Sequence, residues 1–186
     1  MGTRLMNTGE KRSQEVMRRN RKFPQSLKIF TDGAIRPDEG VSGLAAIARD
    51  EQNRIFRWWY RKVGRLTCNE AEYAAAIFAL DQTLHFLGPE QVAEIAIYSD
   101  SRVMVDQMSG RAEAHAPSLQ AAQKRLQTLV EKFKRVTFHH ISREQNRLAD
   151  ALAFEAVCGP PRESRPQKAA PNLDLWKQFQ STWRTK

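Results

Sequence analysis

Several absences narrow this 186-residue chain before any motif is considered. It holds two cysteines, Cys68 and Cys158. They form no C-x-x-C pair, which excludes a disulfide framework and a structural zinc site. Both read as reduced thiols, so a cytoplasmic location is expected. No apolar run approaches the roughly 20 residues that span a bilayer. The first residues, "MGTRLMNTGEKRSQEVMRRNRKFP", lack an apolar h-region, so they do not form a secretory signal. Their arginine content suits a transit peptide, but Glu10 and Glu15 count against one. There are no internal repeats, and no serine or cysteine constellation suggests a covalent nucleophile.

Acidic charge is scarce in particular places. The chain carries 30 Lys/Arg against 21 Asp/Glu, a net charge of +9. Residues 1–22 hold seven basic and two acidic side chains, and residues 159–186 hold six and two. The remaining stretch, 23–158, holds 17 of each and is neutral. Basic ends beside a neutral body suit a polyanion such as nucleic acid, or serve solubility alone.

Hydrophobic content of 41% is that of a globular domain. Residues 1–26 read as a basic flexible arm and 27–158 as one domain. The Pro-rich "GPPRESRPQKAAP" makes 159–171 a linker, and 172–186 form a short amphipathic segment. Within the domain, "LKIFTDG", "GLAAIARD" and "RIFRWWYRKV" are strand-like. Their short connections require an antiparallel meander. "NEAEYAAAIFALDQTLHFLG" favours a long helix ended by Gly88-Pro89. A strand "AEIAIYS", a short helix "SRVMVDQMSG", a helix over 118–135, a strand "VTFHHIS" and a helix over 143–159 follow. The order βββαβααβα predicts an α/β fold, a five-stranded mixed sheet flanked by helices.

Carboxylates recur at significant places in that order. Asp32, in "IFTDGA", ends the first strand, although Asp-Gly also suits a hairpin turn. Asp100 sits between a strand and a helix, where α/β sheets hold ligands and where an aspartate can also cap the helix. Glu70 and Glu72 lie in the first turn of the Ala-rich helix, where acids complement its dipole. Asp150 lies among Ala149, Ala151 and Leu152, a costly place for an unpaired charge unless it faces solvent. Carboxylates gathered without a basic partner repel one another, and a divalent cation removes the conflict. Oxygen donors without Cys or clustered His favour Mg²⁺ or Mn²⁺ over zinc.

The strings "FTDGA", "TCNEAEYAAAIFAL", "YSDSRVMVDQMSG" and "HHISREQNRLADALA", in this order and spacing, resemble the type I ribonuclease H family. The resemblance covers about residues 27–157. It implies a ribonuclease H-like fold whose first three strands are antiparallel. It also implies two Mg²⁺ ions held by Asp32, Glu72, Asp100 and Asp150, and endonucleolytic hydrolysis of the RNA strand of RNA–DNA hybrids. Two residues apart on a helix point roughly 200° apart, so Glu70 and Glu72 cannot share one site. The family pattern N-x-A-E-Y selects Glu72, with Glu70 the alternative. His140, ten residues before Asp150, matches the spacing of the family's catalytic-loop histidine but lacks its Gly-rich surroundings. It reads either as a proton shuttle or as a strand-end residue, with one of His139 and His140 pointing inward. Gly33, Thr67 and Asn69 are expected to contact the substrate. The first of two family asparagines is replaced by Cys68, and the basic handle of many relatives is absent.

Two other readings compete. An exonuclease or resolvase of the same superfold is disfavoured because Asp32-Gly33-Ala34 lacks the second carboxylate of an Asp-x-Glu pair. A non-catalytic hybrid-binding module gains nothing from a negative cluster facing phosphates. Finally, "NLDLW" resembles the bacterial sliding-clamp-binding pentapeptide, with Leu173, Leu175 and Trp176 as its anchors. Trp176, Phe179 and Trp183 also fall on one stripe of a helix that would dock on the core.

Overall fold

The computed structural model describes residues 23–159. The basic arm up to residue 22, most of the linker, and the clamp-like Leu173, Leu175 and Trp176 lie outside the described residues. Five strands form one sheet: β1 (Ser26–Arg36), β2 (Val41–Arg49), β3 (Ile55–Gly64), β4 (Glu94–Ser99) and β5 (Val136–His140). Their spatial order is β3-β2-β1-β4-β5. β1 pairs antiparallel with β2 and parallel with β4, so the central strand joins the meander to the alternating units. The four helices are α1 (Cys68–Leu87), α2 (Arg102–Met108), α3 (Pro117–Val130) and α4 (Arg147–Cys158).

Short-range chemistry sets the turns. At the β2–β3 hairpin, the Asp50 carboxylate accepts from the backbone N–H of Gln52 and of Arg54, at 3.0 and 2.9 Å. Asn53 takes the left-handed conformation there, with φ 61°. Thr67 caps α1: its hydroxyl accepts from Glu70 N–H, while the Glu70 carboxylate accepts from Thr67 N–H.

Small residues then let the layers close. α1 buries Ala71, Ala75, Ala76 and Ala79 fully, together with Tyr73 and Leu80. It lies between the sheet and α3, which is why its buried residues go most of the way round the helix. A Cβ at Gly33 would stand 2.5 Å from the Ala71 carbonyl carbon, so only glycine permits this approach of β1 to α1. On the opposite face α4 packs Ala149, Ala153, Ala156 and Val157 across β1 and β2. Gly43 there lies under the Ala153 carbonyl oxygen.

Three expectations need correction. Asp32 does not end its strand and is in no hairpin turn, because β1 continues to Arg36, with Asp32 opposite Ala45. What ends near Asp32 is the pairing with β4, whose last partners are Phe30 and Tyr98. The helix expected over 118–135 stops at Val130, and Phe133 then turns into the core. The helix expected from Arg143 is interrupted. A 3-10 turn, Arg143–Gln145, is closed by a Ser142–Gln145 capping box, and α4 starts only after Asn146. Among the described residues no helix is long and apolar enough to cross a membrane.

Candidate active site

The two central strands diverge just where the acids sit. In the parallel register Phe30 faces Tyr98. Two residues further along each strand are Asp32 and Asp100, brought to one side by the two-residue period of a strand. The β1–β4 pairing ends at Phe30 and Tyr98, and the N-terminal part of α1 delivers Glu72 from the other layer. The carboxylates of Asp32, Glu72 and Asp100 each place an oxygen within 4.8 Å of the others.

Glu70 plays no part in this cluster. Its carboxylate is spent on the Thr67 cap, including a 2.9 Å bond from the Thr67 hydroxyl, and the bonds from Thr67 N–H, Ser118 and the Thr67 hydroxyl hold its pKa below the usual carboxylate range. Glu72 instead accepts from the Ser99 hydroxyl at 3.1 Å and from the Gly33 N–H. Those two bonds do not offset burial and the charges of Asp32 and Asp100, and the Glu72 pKa is pushed up to about 8. Asp32 is buried, and burial, then Asp100 and Asp150, push it up to about 7 against the weaker pull of Arg143. Two neighbouring acids held this far above their ordinary range mark a site that is short of positive charge.

The fourth expected carboxylate stands apart from the three. Asp150 lies in the first turns of α4, is partly exposed, and is paired with Arg143 at 3.1 Å. It therefore has a basic partner, while remaining near enough to raise Asp32. His139 and His140 are both exposed, so neither points inward. Val136 and Phe138 carry the core contacts of β5, and the strand is exposed from His139 on. His140 lies opposite Ser99 in the β4–β5 register, at the same end of the sheet as the acids. Thr67 and Asn69 are exposed at the start of α1.

Asn146 was not identified from sequence. Its side chain is 1% exposed. Its amide Nδ2 donates to the Asp100 carboxylate at 2.9 Å and the Thr31 carbonyl at 3.0 Å, and lies 3.4 Å from Asp32 Oδ1. It is the neutral donor that ties the start of α4 to both strand aspartates. Read as the interior of a helix from Arg143, it carried no signal. The break in that helix aims it inward.

The donor set suits a divalent cation. Three hard oxygen ligands converge, two have strongly raised pKa values, and among the described residues no lysine or arginine is bonded to them. Neither a cysteine nor a histidine belongs to the group.

A mixed sheet in this order, with converging carboxylates beside its central parallel pair, is the ribonuclease H-like architecture. A family described as "Reverse transcriptase-like" matches residues 30–156. The crystal structure of ribonuclease H1 from the archaeon Halobacterium salinarum superposes with a TM-score of 0.67 at 28% identity, over 73% of this chain and 99% of that one. LC11 ribonuclease H1, solved in complex with an RNA/DNA hybrid, gives 0.67 at 31%, over 71% and 96%. A Mycobacterium tuberculosis protein named as bifunctional is 31% identical over 147 residues, 78% of this chain. This chain spans only 38% of that relative's length. The chain belongs to the ribonuclease H family.

Proposed function

We propose that the protein hydrolyses the RNA strand of RNA–DNA hybrids, cutting internally, with Mg²⁺ as the physiological ion and Mn²⁺ as a substitute. The observation that carries this reading is the convergence of Asp32, Glu72 and Asp100, each with an oxygen within 4.8 Å of the others. The hybrid bound in the LC11 ribonuclease H1 structure supports the choice of substrate.

Asp32, Glu72 and Asp100 would hold the metal, with Asp150 joining from α4. Bound divalent ions supply Lewis-acid activation of water and stabilise the leaving 3′ oxygen. The chain's own residues supply the rest. Asn146 holds Asp32 and Asp100 at fixed separation through its amide. Ser99 and the Gly33 N–H orient Glu72. Arg143, exposed and bonded to Asp150, restrains that carboxylate and adds positive charge at the mouth of the site. His140, exposed at the end of β5, would serve as the proton shuttle. Discrimination against DNA requires contacts to the 2′-hydroxyl across the shallow minor groove. Gly33 N–H and the Thr67 hydroxyl are already engaged with Glu72 and Glu70. Asn69, exposed in the first turn of α1, is therefore the donor we assign to that contact. Because the body is neutral overall, the basic residues of 1–22 would add phosphate attraction, and tethering through Leu173, Leu175 and Trp176 would raise the effective concentration near substrate.

The test is a gel assay with end-labelled hybrid, duplex RNA and duplex DNA, with Mg²⁺ and with EDTA. Internal cleavage of the RNA strand of the hybrid, abolished by EDTA and by Asp100→Asn, is expected. An intact hybrid in both Mg²⁺ and Mn²⁺ would reject the reading.

A further inference from the structure

The sheet face that carries Asp32 and Asp100 continues, away from α4, into a row of stacked rings. Phe30 on β1 stacks on Tyr98 of β4, with centroids 5.0 Å apart and planes 17° apart. Tyr98 stacks in turn on His139 of β5, at 5.0 Å and 22°. The Arg49 guanidinium closes one end of the row, 5.6 Å from the Phe30 centroid. The other end is open: β5 is the edge strand and His139 is exposed. Thr137 fixes the His139 ring through a 2.9 Å hydrogen bond between its hydroxyl and Nε2. Lys28 pairs with Arg49 across β1 and β2, one step further from the acids. Neither cation makes an ion pair with an acid among the described residues. Beside the row a groove of about 400 Å³ runs between Ile47 and Arg49 on one side and Arg147 and Leu148 on the other. Glu144 is the one acid in its lining.

We propose that this face binds a single-stranded stretch of nucleic acid adjoining the hybrid. The proposal rests on the hybrid-cleavage reading for its continuity with the site and adds a substrate feature to it. Three observations select the occupant. Cations without an acidic partner beside aromatic rings complement phosphates and bases together; the Arg49 guanidinium donates only to the neutral Asn53 carbonyl, at 3.0 Å, and keeps its charge. Base–ring stacking needs an accessible base face, which a paired strand keeps inside its own stack and an unpaired strand offers. Phe30 and Tyr98 lie two residues before Asp32 and Asp100 on the same sides of their strands, so a strand leaving the acids meets the rings next. An unpaired base extends the row on the outer face of His139, and backbone phosphates lie at Lys28 and Arg49.

The experiment uses the full chain. Fluorescence anisotropy with a labelled single strand of about a dozen nucleotides is measured in EDTA, so that binding is read apart from cleavage. His139→Ala is expected to weaken binding about tenfold, the scale of one lost base–ring stack. Tyr98→Phe keeps the ring and retains binding. The Lys28→Ala/Arg49→Ala variant flattens the slope of log K against log salt by roughly 1.4, at about 0.7 per phosphate contact. Initial rates are then compared on a blunt hybrid and on the same hybrid with an unpaired extension. The extension lowers KM in the wild type, and that advantage disappears in His139→Ala. Unchanged affinity and salt slope in both the His139 and the Lys28/Arg49 variants overturn the proposal, and place any single strand on the basic ends of the chain. Single-strand binding that responds to these variants in a protein that cuts neither hybrid supports this surface and rejects the hydrolysis reading separately.

Discussion

Replacing Asp32 by asparagine keeps the shape of the side chain and removes one charge from a buried, acid-rich site. In the folded protein the Asp32 pKa is about 7, against an ordinary value of 3.8. Below pH 4 the carboxyl is protonated in folded and unfolded chains alike, and it costs the fold nothing. Between about pH 4 and 7 the unfolded chain releases the proton while the folded chain keeps it, so wild-type stability falls as pH rises. Above pH 7 the full cost is present. A difference of about three pH units at ~1.4 kcal/mol each is on the order of 4 kcal/mol. Asp32→Asn escapes that cost. Metal-free Asp32→Asn is expected to match wild type at pH 4 and to exceed its stability by about 2–4 kcal/mol at pH 9. Urea denaturation in EDTA at a series of pH values measures this. A divalent cation at 100-fold its dissociation constant would return about 2.7 kcal/mol to wild type and less to the variant, which would be inactive. A variant no more stable than wild type at pH 9 in EDTA would refute the argument that burial, together with the neighbouring acids, makes the Asp32 charge costly to the fold.

Other outcomes follow from the same geometry. Glu72→Gln should lower kcat at least ~10²-fold, as loss of a metal-site group does. Glu70→Gln should cost only about 0.5–1 kcal/mol of stability through the weakened cap, and the reverse ranking would reject the assignment. Asn146→Ala removes its amide's bonds to the Asp100 and Asp32 carboxylates and to the Thr31 carbonyl, so denaturation should show a loss of about 2–4 kcal/mol, with a midpoint shift near zero counting against its bridging role. Gly33→Ala forces a Cβ to within 2.5 Å of the Ala71 carbonyl carbon, and should cost about 1–3 kcal/mol or more while displacing Glu72, seen as a joint fall in melting temperature and kcat. Deleting residues 1–22 should flatten the salt dependence of hybrid binding by about 0.9 per lost phosphate contact, and an unchanged slope would leave those residues without a substrate role.

Local chemistry was legible from the sequence because it is written in neighbouring residues. The short apolar runs of β1 and β2, the Asp50–Asn53 hairpin, the alanines of α1 and the glycine that ends it all act over a few positions. The order of elements followed, and with it the mixed sheet. The motif strings added which aspartates and glutamates to consider, and helix geometry alone established that Glu70 and Glu72 could not both serve. The three-dimensional arrangement decided what depended on pairing across the sheet. Asp32 reads as a strand end because Gly33 follows it, yet β1 runs on to Arg36, and it is the partner strand β4 that stops. That unequal length opens the gap through which Glu72 reaches the aspartates. Asn146 gained its role from a helix break set by the Ser142–Gln145 cap, and Asp150 gained a partner because the same break brings Arg143 to it. The ring row of Phe30, Tyr98 and His139 joins three strands distant in sequence, and only their register makes them neighbours. Spacing along a chain reports what lies within a turn or two. Contacts between strands and layers are set by how the whole core closes, which no short stretch of sequence contains.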